Sequence, residues 1–232
     1  MLEKSCNCMI NNESKPYKLI LTSKGLNTKT GMELVKRVYQ KEKICYGSIF
    51  LLTLPVYGVD KIIIDACKKL GFDNIYLAKD YQNKKIEEMP IVDAVFVTEG
   101  NTFEVAEYIR QNNFDKYIRN IIENGITYIG SSAGAILASS YFKEAENFDS
   151  NFVKITDFTG FKIMPGNENV SDIVIPHYTY RELQNYINSM EEEQVVCYRT
   201  IYNVCNEEAL VLDCKRVGNN VELIKKRRIR VE

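Results

Sequence analysis

The segment Tyr128-Ile129-Gly130-Ser131-Ser132-Ala133-Gly134-Ala135 interrupts an apolar run, Ile126 to Ile129, with a Gly-x-Ser-x-Gly pattern, and small residues continue from Ala133 to Ser139. A buried strand, a sharp turn and a helix is the context in which that pattern forms a nucleophile elbow. Such a turn lifts one side chain, Ser132, clear of the backbone. Gly130 and Gly134 omit the Cβ atoms that would collide where the strand folds back into the helix. Ala133 follows the serine, so its N–H sits at a helix N-terminus, where it can meet developing negative charge. A Gly-x-Ser-x-Gly pattern alone is more often a packing turn than a catalytic one. The chain's single histidine changes that balance. His177 stands at the end of a second apolar run, Ile173-Val174-Ile175-Pro176, where a sheet delivers side chains to a cleft. A histidine so placed is a candidate general base.

Working outward, 232 residues with 45% hydrophobic and 26% charged side chains can bury a substantial core in one α/β domain. A net charge of −1 provides no global field for nucleic acid or an anionic membrane, so neither partner is expected. The apolar runs fall far short of a membrane span, and the N-terminus has no signal-peptide core. Seven scattered cysteines fit reduced thiols and a cytoplasmic location. Cys6-Asn7-Cys8 is the only close pair, without a nearby histidine, so no metal or other cofactor is expected. A homo-oligomer is compatible with the sequence.

Upstream of the elbow, residues 1–16 read as a polar lead-in to a single domain over 17–232. Strands are expected at Lys18–Thr22, Ile49–Leu54, Asn74–Leu77 and Val92–Val97. Helices are expected over Thr30–Gln40 and Val59–Leu70, then around Phe103–Ile109 and Phe114–Ile122. Asn101 is a helix cap with Glu104 as its capping-box partner. Alternating strands and helices imply a mostly parallel sheet covered on both faces, with ligands at the carboxyl ends of the strands. Downstream, Tyr141–Gly160 reads as a polar loop over the site, and Asp172–Pro176 as the strand presenting His177. A helical face follows at Leu183, Tyr186, Ile187 and Met190. Val195–Tyr198, Ala209–Cys214 and Val221–Ile224 read as an antiparallel extension. The basic run Lys225–Arg228 reads as a solvated edge that discourages strand-to-strand aggregation.

Four segments carry a family resemblance: Leu19-Ile20-Leu21-Thr22-Ser23-Lys24-Gly25-Leu26, Glu99-Gly100-Asn101-Thr102-Phe103, Gly130-Ser131-Ser132-Ala133-Gly134-Ala135 and Pro176-His177-Tyr178. Together they resemble the peptidase E family of serine peptidases, aspartyl dipeptidases related to cyanophycinases, over roughly Tyr17 to Cys214. The resemblance implies a flavodoxin-like three-layer α/β sandwich related to class I glutamine amidotransferases, with serine in place of their cysteine. It implies Ser132 as nucleophile, His177 as base, and an oxyanion hole from the N–H groups of Ala133 and Gly100. Two positions depart from the pattern. Glu99 replaces a glycine of the run that usually precedes Asn-Thr-Phe. The Thr-Arg-Glu segment of aspartate-preferring members is absent, Arg181 in Tyr180-Arg181-Glu182 being the nearest arginine.

The expected activity is therefore serine-type hydrolysis of a small peptide or N-terminal dipeptide by acyl transfer. The third member is expected to be an acid between the elbow and His177, from Glu144, Glu146, Asp149, Asp157 and Asp172. Asp149 best matches the family's position. Asn101 and Arg181 are the substrate-binding candidates. Two alternatives remain open at this stage. One is a non-catalytic ligand-binding or regulatory protein on the same fold; the other is a small-ester or small-amide hydrolase.

Overall fold

The computed structural model describes residues 14–45, 47–55, 58, 60–167, 170–190 and 198–231. The Cys6/Cys8 pair, most of the N-terminal lead-in, Val59 and the residues 195–197 expected to open a strand lie outside them.

Nine strands and six α-helices are found among the described residues. The first part alternates: β1 (Tyr17–Thr22), α1 (Lys29–Glu42), β2 (Ser48–Leu52), α2 (Asp60–Leu70), β3 (Asn74–Leu77) and β4 (Ala94–Val97). Then come α3 (Thr102–Gln111), α4 (Phe114–Glu123), β5 (Thr127–Ser131) and α5 (Ala133–Leu137). The remainder is β6 (Ser171–Pro176), α6 (Tyr180–Ser189), β7 (Tyr198–Val204), β8 (Glu208–Val217) and β9 (Asn220–Arg230). One seven-stranded sheet runs β3-β2-β4-β5-β1-β8-β9, and β6 pairs with β7 in a separate two-stranded sheet. The first five strands of the large sheet are parallel, while β8 and β9 are antiparallel to their neighbours.

Both faces of the parallel core are buried, as the near-continuous apolar strands require. Alternate residues sort cleanly: Leu19, Leu21, Phe50, Val95, Val97 and Tyr128 belong to one apolar cluster with α3, α4 and α5. Ile20, Ile49, Leu51, Phe96 and Ile129 belong to the other with α1 and α2. The result is an α/β sandwich of three layers.

The antiparallel extension needs one correction. Residues from Tyr198 on do form a strand, but β7 lies parallel to β6, with Ile173 opposite Ile201 and Pro176 opposite Val204. Parallel partners are joined by a crossover rather than a tight turn, and α6 lies in that crossover. Only β8 and β9 make the extension. The basic run falls on β9, at one edge of the large sheet, as an edge position favours.

The elbow packs with no room to spare. A Cβ on Gly130 would lie 2.6 Å from the Gly134 carbonyl oxygen, and one on Gly134 would lie 2.3 Å from the Val97 carbonyl oxygen. These two glycines let α5 fold directly back over β4 and β5.

Candidate active site

Ser132 sits between β5 and α5 with φ 49° and ψ −108°, a backbone conformation that side-chain-bearing residues rarely adopt. Its N–H donates to the Thr22 carbonyl at 2.9 Å, and the Gly134 N–H donates to the Thr98 carbonyl at 3.1 Å. The turn is thereby fastened to the strands on both sides, β1 and β4. Ser132 is half-buried, whereas the preceding Ser131 is fully buried, with a hydroxyl that has no partner among the described residues.

His177 follows the last residue of β6 and also has a positive φ, 67°. Its N–H is shared by the Val204 carbonyl at 2.9 Å and the Ser23 hydroxyl at 2.8 Å. Ser23, immediately after β1 and fully buried, also donates its own hydroxyl to Val204. The imidazole Nε2 lies 3.0 Å from Ser132 Oγ, and Nδ1 lies 3.1 Å from Asn206 Oδ1. An amide oxygen only accepts, so this contact places the proton on Nδ1 and leaves the Nε2 lone pair for the serine hydroxyl. That is the tautomer a general base needs.

Asp149 is displaced from its expected place. Its Oδ2 accepts from the Thr102 N–H at 2.9 Å and the Thr102 hydroxyl at 2.6 Å, at the head of α3, and the imidazole is held by Asn206 instead. The physical reason is that α3 begins with unpaired N–H donors, which a nearby carboxylate satisfies. The other acids upstream of His177 with a contact are engaged elsewhere too. Glu144 accepts from the Tyr186 hydroxyl, and Asp157 faces Arg110 and the Thr159 N–H. Asp172 is fully buried with Arg199 at 3.2 Å and the Tyr202 hydroxyl at 3.1 Å; burial raises its carboxyl above the ordinary range, against the pull of Arg199.

Asn101 uses both ends of its amide within the protein. The oxygen caps α3 by accepting from Phe103 and Glu104, and the nitrogen donates to the Ser150 carbonyl at 2.9 Å. Gly100, just before it, has φ 137°, which suits glycine. Ala133 is the first residue of α5. Arg181 is exposed in the first turn of α6, beside Glu182, whose carboxylate accepts from the Thr179 N–H at 2.7 Å. Glu99 turns its carboxylate toward the loop after β1, where it accepts from the Gly25 N–H at 3.1 Å and from the Asn27 amide.

Two residues of this array were not visible from the sequence pattern. Asn206 stands two residues beyond β7 and Ser23 one residue beyond β1, each at a strand end, which is the signal they carry. Asn206 is an amide that follows both the serine and the histidine, outside the familiar Ser–acid–His order.

Fold and site together place the chain among α/β proteins with a serine elbow. It belongs to peptidase family S51, whose family model matches residues 64–219, well over half of the chain. Among curated relatives it is 29% identical to an uncharacterized peptidase of Listeria monocytogenes over 126 residues, 54% of this chain and 58% of the relative. It is also 29% identical to Peptidase E of a Nostoc species over 124 residues, 53% of this chain and 46% of the relative. The matched stretch thus spans about half the length of these relatives. Among solved structures, a candidate peptidase E protein from Listeria monocytogenes superposes with TM-score 0.63 at 20% identity, covering 94% of this chain and all of that one. A peptidase from an acI-B1 Actinobacterium gives TM-score 0.57 at 16% identity over 94% of this chain and 96% of that one. These likenesses establish the fold: a mostly parallel sheet with flanking helices and antiparallel C-terminal strands.

Proposed function

We propose that the chain is a serine peptidase that hydrolyses small peptides through an acyl-enzyme, with Ser132 as nucleophile, His177 as base and Asn206 as the residue that orients the base. The observation that carries this reading is the continuous chain of contacts Ser132 Oγ–His177 Nε2 at 3.0 Å and His177 Nδ1–Asn206 Oδ1 at 3.1 Å. His177 takes the Ser132 proton as Oγ attacks the scissile carbonyl. It returns that proton to the leaving amine, and water then repeats the sequence on the acyl group. The N–H groups of Ala133 and Gly100 are the proposed oxyanion donors. An asparagine in the third position serves Cys–His–Asn proteases on other folds.

The substrate side carries a further proposal. Capture of an aspartate side chain calls for a guanidinium held in a partly buried pocket. Arg181 is exposed and flanked by Glu182, so we expect little preference for N-terminal aspartate. Ser132→Ala should abolish fluorophosphonate labelling and amide hydrolysis. Ser131→Ala should leave both intact and cost no stability, because it removes a buried hydroxyl that has no partner among the described residues. Equal loss of labelling in the two variants would remove Ser132 as the nucleophile.

A further inference from the structure

In the sheet order β5 lies between β4 and β1, so the loops following those two strands stand on either side of the Ser132 turn. Glu99 spans that gap. It leaves the loop after β4, and its carboxylate accepts from the Gly25 N–H at 3.1 Å and from the Asn27 side-chain amide, both in the loop after β1. The packing there is close, since a Cβ on Gly25 would lie 3.0 Å from the carboxylate carbon of Glu99.

The far anchor is rigid. Thr28 caps α1 by accepting from the Gly31 N–H at 3.0 Å, and its own N–H and hydroxyl both donate to the Gly25 carbonyl, at 3.0 and 2.9 Å. A Cβ on Gly31 would lie 2.2 Å from that same carbonyl oxygen, so the loop is seated directly on the helix. The near side is fastened at its two ends: the Thr98 carbonyl accepts from Gly134, and Asn101 caps α3. Between those points lies the Glu99–Gly100 peptide, and the Glu99 carboxylate is the contact that fixes this middle part.

We propose that Glu99 is a positioning residue. Its carboxylate straps the loop after β4 to the loop after β1 across the end of β5 and so sets the direction of the Gly100 N–H. This deepens the peptidase reading and rests on it, because the Gly100 N–H is its second oxyanion donor. Where glycine would leave that peptide to adjust, glutamate holds it.

The test combines kinetics with amide exchange at Gly100, measured by NMR on the full chain. Loss of one oxyanion donor costs about 10²- to 10³-fold in turnover, so loosening it through Glu99→Ala should cost about 10- to 100-fold in kcat with little change in KM. Asn27→Ala, which cuts one arm, should cost less. The double variant should be no worse than Glu99→Ala alone, because both changes cut the same strap. Glu99→Gln should recover part of the loss, since its amide presents an acceptor to one of the two donors only. Exchange at Gly100 should quicken in Glu99→Ala. Unchanged exchange, or quickened exchange with wild-type turnover, overturns the proposal. A wild-type protein whose Ser132 neither labels nor turns over would instead remove the peptidase reading, and the exchange measurement would still decide the strap.

Discussion

At the scale of single residues, the site turns on which atom of His177 keeps its proton. Asn206 cannot neutralise an imidazolium as a carboxylate would, so the role proposed for it is to fix the tautomer and the ring plane rather than to supply charge. Two substitutions separate those roles. Asn206→Leu removes the acceptor and should lower kcat by about 10²- to 10⁴-fold, the range associated with losing a properly placed general base. Asn206→Asp keeps an acceptor at Nδ1 and adds charge, so it should stay within about tenfold of wild type. Turnover and fluorophosphonate labelling rate, with melting temperature as the folding control, decide it. Wild-type rates in Asn206→Leu would mean that the ring is oriented by something else. This residue was not legible in advance. The sequence orders a serine before a histidine, and the familiar Ser–acid–His order draws attention to the acids between them. Asp149 lies in a polar loop between them, and that loop does reach the edge of the site. What the pattern cannot convey is that α3 starts at the same place and that its free N–H groups claim the carboxylate first.

At the scale of elements, the large sheet continues beyond β1 into two antiparallel strands, and charge ties that extension to the helical layer. Lys18 on β1, Glu42 at the end of α1, Asp213 on β8 and Arg227 on β9 meet in one cluster, with Arg227 at 2.8 Å from both Asp213 and Glu42. Burial alone would raise the Asp213 carboxyl, but Arg227 and Lys18 outweigh it and hold it below the ordinary carboxylate value. A carboxyl depressed on folding stabilises the native state above its unfolded value, near 3.9, and that stabilisation disappears as pH falls through the folded value. Asp213→Asn should therefore cost about 1 kcal/mol at pH 7, between the values typical of exposed and fully buried pairs. Urea midpoints for both proteins, at neutral pH and again below pH 4, test this, with the gap expected to close on acidification. A gap independent of pH would assign the residue's contribution to packing instead. The basic run on β9 is thus more than a solvated edge, because two of its arginines are paired, Arg227 in this cluster and Arg228 with Glu208 at 2.8 Å.

For the whole molecule, the two halves of the proposed catalytic pair arrive on different sheets. Ser132 comes from the large one, while His177 and Asn206 come from the ends of the parallel pair β6–β7. The large sheet was readable as a set of elements because those follow from local patterns: apolar runs of strand length, helices of the right period between them, and glycines where they stop. The small sheet was not, because the parallel register of β7 beside β6 is a tertiary event with no turn motif to announce it. Joining the sheets is therefore a task for contacts that no local pattern encodes, and Ser23 makes one of them beside the histidine. Its hydroxyl accepts from the His177 N–H at 2.8 Å and donates to Val204, so one buried side chain after β1 touches both strand ends that carry the histidine and its partner. Replacing it by alanine leaves the His177 N–H its bond to the Val204 carbonyl, so the fold should survive with a small loss in melting temperature. His177, however, has a left-handed backbone conformation whose N–H is held by those contacts, and an error of about 1 Å in a catalytic group costs on the order of 10²-fold. Ser23→Ala should then lower kcat by about 10- to 100-fold and slow labelling of Ser132 in proportion, while Ser23→Thr, which keeps the hydroxyl, should restore part of both. If Ser23→Ala instead kept wild-type turnover, the two sheets would hold their register through apolar packing alone, with Val174, Tyr202 and Val204 in the shared core as the groups responsible.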